Sequence, residues 1–88
     1  MPAPIVELNR AVAVGMAHGP AAGLELVDAL AATGALASYR LLPATRADLL
    51  RRLGRYPEAA ASYRQALSQA INDAERRYLA RRLAEVSG

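Results

Sequence analysis

The sequence predicts an all-α domain of about five helices, and three observations carry that prediction. Apolar residues recur at three- and four-residue spacing, Gly and Pro divide the chain into pieces of helical length, and no stretch alternates apolar with polar residues as a half-buried strand would. Eighty-eight residues make one small domain, and a chain of that size buries only roughly 60–65% of the surface its unfolded form exposes. Its core must be thin.

The first helix is expected from Pro4, since proline suits the opening position where a missing N–H costs least. Ile5, Leu8, Val12 and Met16 then recur as one face until His18-Gly19 stops the run. Pro20 opens a second helix carrying Leu24, Val27, Leu30 and Ala31, ending near Thr33-Gly34. A third runs from about Ser38 to Leu53 and stops at Gly54, with Pro43 inside it predicting a distorted first turn. Pro57-Glu58 starts the fourth, where a carboxylate complements the helix dipole. Asn72 followed three residues later by Glu75 is a capping-box pattern that starts the fifth, which closes at Val86-Ser87-Gly88.

Shifting the chain by 37 residues places Pro20 on Pro57, Ala22 on Ala59, Leu26 on Tyr63 and Ala29 on Ala66. The pattern predicts two helical hairpins, units 4–34 and 38–71, with helix 72–86 covering the open end of the stack.

Composition excludes several classes of function. With no cysteine there is no disulfide framework and no thiolate metal site. The net charge of +3 could suggest an anionic partner, but every basic residue apart from His18 is Arg, and Ala, Arg, Gly and Pro make up 43 of the 88 residues. That bias follows from a GC-rich coding sequence and decides nothing about partners. No apolar run approaches the roughly 18 residues of a membrane span, and no signal segment opens the chain. The expectation is a cytoplasmic protein that does not engage a membrane.

Nothing converges as an active site would. His18 is a lone histidine beside a glycine, and Ser38, Ser62, Ser68 and Ser87 lack any nucleophile context. Asp73 and Glu75 serve helix capping. The chain is read as a non-enzyme with no metal and no cofactor. Asn9 falls on the predicted core arc and is expected to be partly buried with backbone partners. Glu7 and Arg10, with Ala11 and Val14, are placed on the opposite, exposed arc, where their spacing allows a surface pair.

Leu53-Gly54-Arg55-Tyr56-Pro57-Glu58-Ala59, followed by Tyr63, Ala66 and Leu67, resembles the tetratricopeptide (TPR) repeat. Ala47 and Leu50 stand at that family's small and large helix-A positions, while Pro43, Arg46 and Ile71 depart from its pattern. More narrowly, PIVELNRAVAVGMAHGPAAGLELVDAL, LASYRLLPATRADLLRRLGRYPEAAASYRQAL and AERRYLARRLAEV resemble the C-terminal TPR-like extension of extracytoplasmic-function (ECF) sigma-70 family RNA polymerase sigma factors. The Leu8-Asn9-Arg10-Ala11-Val12-Ala13 string is the most specific part.

The resemblance implies a regulatory, protein-binding role in transcription initiation. Its partners would be upstream sigma regions absent from this chain, the polymerase core or a signalling protein, with DNA read only through those absent regions and self-association also open. It further implies a groove lined by Glu7, Arg10, Ala11, Asp48, Arg51, Arg52, Glu75, Tyr78 and Arg82. Two other readings stand beside it: a free-standing TPR-like scaffold or adaptor, and a small basic nucleic-acid-binding domain using Arg76, Arg77, Arg81 and Arg82.

Overall fold

A computed structural model describes residues 4–34 and 41–87. It contains α1 (Pro4–His18), α2 (Pro20–Thr33), α3 (Leu41–Arg52), α4 (Tyr56–Ser68) and α5 (Asp73–Ser87), with no strand among the described residues. Each helix packs chiefly on the next in sequence, α1 with α2, α2 with α3, α3 with α4 and α4 with α5. The described residues form an all-α fold of five helices: two hairpins followed by a single helix packed on α4.

The turns follow from local chemistry. Gly19 alone joins α1 to α2, and its φ of 101° is a conformation that residues with a Cβ seldom adopt. α3 ends in a Schellman motif: Gly54 at φ 75° donates its N–H to Arg51 O, and the Arg55 N–H reaches Leu50 O. At the start of α4, Arg55 forks onto Glu58 through Nε and Nη2, at 2.9 and 2.6 Å. That fork holds the Glu58 carboxyl below its usual range. Asn72 caps α5, its Oδ1 accepting the Glu75 N–H at 2.8 Å.

Expectations for α1 and for the register of the repeat need correction. Pro43 is buried in the described part of α3, which runs from Leu41. The stretch assigned to the third helix before Leu41 lies outside the described residues.

The buried arc of α1 is rotated from the expected one. Leu8, Ala11 and Gly15 face inward, whereas Asn9 is exposed, Val12 is 39% exposed and Met16 is 71% exposed. Ala11, assigned to the exposed arc and the groove, is completely buried. The cause is the crossing of α1 and α2. A Cβ on Gly23 would lie 2.8 Å from Ala11 O and 2.9 Å from Gly15 Cα, so the two backbones touch. Such an approach demands the small side of α1, and the larger apolar residues are displaced from the contact.

The repeat, too, has a different register. Buried residues pair as Ala11 with Ala47, Gly23 with Ala59, Leu24 with Ala60 and Val27 with Tyr63, every pair standing 36 positions apart. A Pro-to-Pro alignment gives 37 because Pro20 is the first residue of α2 and Pro57 the second of α4. Ala29, aligned with Ala66 on that basis, is accordingly exposed.

Arg46, at a position where the repeat pattern has a leucine, links three helices instead. Its Nε donates to Asp28 Oδ1 of α2 at 2.8 Å and its Nη1 to the buried Ser62 Oγ of α4 at 3.1 Å.

Gly23 provides a sign test of the crossing. In an unobstructed helix, Gly→Ala stabilises by about 0.8–1 kcal/mol. Here Gly23→Ala is expected to lower stability by about 1–3 kcal/mol through overpacking, read as a fall in Tm; a rise would mean that α1 and α2 do not meet this closely.

Candidate functional site

α3 presents a polar face to the end of the stack, and Asp48 is its centre. The Asp48 carboxylate lies one turn before Arg51 and Arg52, which end the helix and complement its dipole. Tyr63 of α4, fully buried, donates its phenolic hydrogen to Asp48 Oδ1. Tyr78 of α5 reaches the same carboxylate, with its oxygen 3.2 Å from each of Oδ1 and Oδ2. Arg51 completes the group: its Nε donates to Tyr63 Oη at 3.2 Å, and its Nη2 lies 4.0 Å from Asp48. One carboxylate therefore ties three helices together.

Burial and the Asp48 carboxylate both push the Tyr63 phenol well above its ordinary range, with Arg51 opposing them. This hydroxyl therefore stays protonated at neutral pH and donates to Asp48.

A pocket of about 320 Å³ opens beside the network. Its polar wall is Thr45, Asp48, Arg51, Arg52, Tyr78 and Arg82, and its apolar wall is Val12, Met16 and Leu49. Arg82 lies over the Tyr78 ring, 5.5 Å from the centroid, and its Nη1 donates to Glu85 at 3.0 Å. The Arg82 Nε is shielded from solvent and has no hydrogen-bond partner. Arg52 makes no ion pair or hydrogen bond among the described residues.

Five of the groove residues read from the sequence are thus brought together: Asp48, Arg51, Arg52, Tyr78 and Arg82. The other four do not line the pocket. Glu7 and Arg10 form a surface pair at 3.6 Å, Ala11 is buried at the α1–α2 crossing, and Glu75 is held at the α5 N-terminus. Sequence reasoning missed Val12 and Met16, placing them in the core. The arginines of α5 do not act as one cluster, because Arg76 pairs with Asp73 at 3.0 Å and Arg82 with Glu85, while Arg77 and Arg81 face solvent.

Among the described residues, no group of His, Cys, Asp or Glu is placed to hold a metal ion, and no helix is long and apolar enough to cross a membrane.

The raised Tyr63 phenol gives a pH prediction with a definite sign. The unfolded phenol ionises near 10 and the folded one only at higher pH, so its contribution is fully present below about pH 10 and is lost above it. Tyr63→Phe should lower neutral-pH stability by about 0.5–1.5 kcal/mol and flatten the alkaline decline. Denaturant melts from pH 7 upward check this; an equally steep decline in the variant would contradict the assignment.

No family model and no solved structure matches the chain. It is similar to an uncharacterized protein of Rhizobium meliloti (strain 1021), with 40% identity over 78 residues that cover 89% of this chain and 18% of that protein. The chain spans less than a fifth of the length of this curated relative.

Proposed function

We propose that this chain is a non-catalytic, protein-binding regulatory domain of a bacterial ECF-type sigma factor, acting in transcription initiation in the cytoplasm. The observation that carries the binding role is the pocket itself. Asp48, Arg51, Arg52, Tyr78 and Arg82, which the TPR-like pattern assigns to a groove, line one pocket together with exposed apolar residues. The sigma-factor assignment rests on the resemblance of residues 4–30, 36–67 and 74–86 to the extension of that family. A repeat of burial every 36 residues supports the hairpin-repeat reading.

In this reading, the helical stack docks on upstream sigma regions, on the polymerase core or on a signalling protein, and so sets promoter output. Six of the ten described arginines are within 4.0 Å of a carboxylate of the same chain. That internal neutralisation favours a protein partner over a nucleic-acid backbone, for which clustered unpaired cations are needed.

The test is reconstituted transcription with the sigma factor carrying this segment, compared with the same factor lacking residues 4–87. Deletion is expected to change promoter output under at least one regulatory condition while promoter choice stays the same. Unchanged output under every condition would overturn the proposal.

A further inference from the structure

The pocket between α1, α3 and α5 has a chemistry that specifies its occupant. Three guanidinium groups, those of Arg51, Arg52 and Arg82, share its wall with one carboxylate, Asp48. That carboxylate is committed inward, since Tyr63 and Tyr78 between them bond both of its oxygens. Arg51 is likewise engaged with Tyr63. The cationic capacity left over lies on Arg52, which has no partner among the described residues; Arg82 stands on the same wall over the Tyr78 ring, with Nη1 bonded to Glu85 and Nε shielded from solvent. A guanidinium without an internal partner, as on Arg52, is suited to a carboxylate, which it grips in a planar, directional way that a point charge does not. Opposite these cations stand Val12 and Met16, large apolar side chains left exposed at 39% and 71%. Methionine adapts to differently shaped apolar partners.

Building on the reading of this chain as a protein-binding domain, we propose that the pocket takes an acidic-apolar segment of a partner protein. One Asp or Glu side chain of that segment is held by Arg52 and Arg82, and an adjacent Leu-type side chain rests on Val12 and Met16. The pocket, about 320 Å³ in volume, accommodates an anchor of two or three residues rather than a whole helix. Such small, partly desolvated anchors dominate the energetics of many interfaces. A nucleic-acid strand would meet the same cations, but the aromatic ring in the wall, Tyr78, has a face taken by Arg82, and the apolar side chains beside it are aliphatic where bases need stacking surfaces.

The experiment titrates the isotopically labelled chain with a capped Leu-Glu-Leu-Glu-Leu peptide, its Leu-Gln-Leu-Gln-Leu counterpart and a single-stranded oligonucleotide, following amide shifts by NMR. The Glu peptide is expected to move signals around Val12, Met16, Arg52 and Tyr78. Its affinity should fall at least about tenfold on Glu→Gln replacement, and by a similar factor in Arg52→Glu, a fold-change equivalent to about 1.4 kcal/mol. Arg52 complements the α3 dipole, so this variant is expected to melt slightly lower while remaining folded; Met16→Glu is a second surface variant expected to weaken the same binding. Equal affinity for the Glu and Gln peptides, shifts centred elsewhere, displacement of the peptide by the oligonucleotide, or no binding at millimolar peptide would each overturn the proposal. If peptide binding fails while deletion of residues 4–87 still alters promoter output, the pocket assignment falls and the regulatory role stands. If deletion has no effect but the peptide binds with the expected charge dependence, the reverse holds.

Discussion

The Asp48 carboxylate is the interaction on which the arrangement of the candidate site depends. It accepts hydrogen bonds from Tyr63 on α4 and Tyr78 on α5 while sitting on α3, so three helices are fixed to one pair of oxygens. A partly buried charge of this kind is tolerable only when its acceptors are occupied. The phenols meet that need, and each is in turn held by an arginine: Arg51 bonds to the Tyr63 oxygen and Arg82 lies over the Tyr78 ring. The positions of Arg51 and Arg82 are therefore consequences of the carboxylate's requirements. A thin core of alanines and leucines would fix the helix axes without fixing these side chains.

A second constraint acts at the other end of the stack. The contact of Gly23 with the backbone around Ala11 and Gly15 turns the small face of α1 inward and leaves Val12 and Met16 outside. The apolar wall of the pocket thus originates in a packing demand some distance from the polar wall. Arg46 adds a third tie, bridging Asp28 on α2 and Ser62 on α4. The site joins two independently determined surfaces, one apolar and one cationic, and their adjacency is the basis of the proposed acidic-apolar ligand.

Much of the fold could be read from local signals. Pro20, Gly54, the Asn72–Glu75 cap and the apolar spacing place the helices within a few residues, because caps and turns are governed by neighbours in sequence. Spacing also brought Asp48 with Arg51 and Arg52, and Tyr78 with Arg82, onto shared helix faces. The orientation of α1 was not legible, since Leu8-Ala11-Gly15 and Ile5-Leu8-Val12-Met16 are both plausible arcs. Choosing between them requires knowing that Gly23 stands opposite. The bond from Tyr63 to Asp48 joins residues 15 positions apart on different helices, and no periodicity announces it. Arg46 was visible only as a departure from a repeat pattern, and its bridging role emerges when Asp28 and Ser62 are seen beside it.

The central claim is that Asp48 couples α5 to the rest of the stack through Tyr78. A double-mutant cycle on Asp48→Ala and Tyr78→Phe, measured by denaturant unfolding, tests this most directly. The account predicts a coupling energy of at least about 0.5 kcal/mol. Strict additivity of the two substitutions would contradict it.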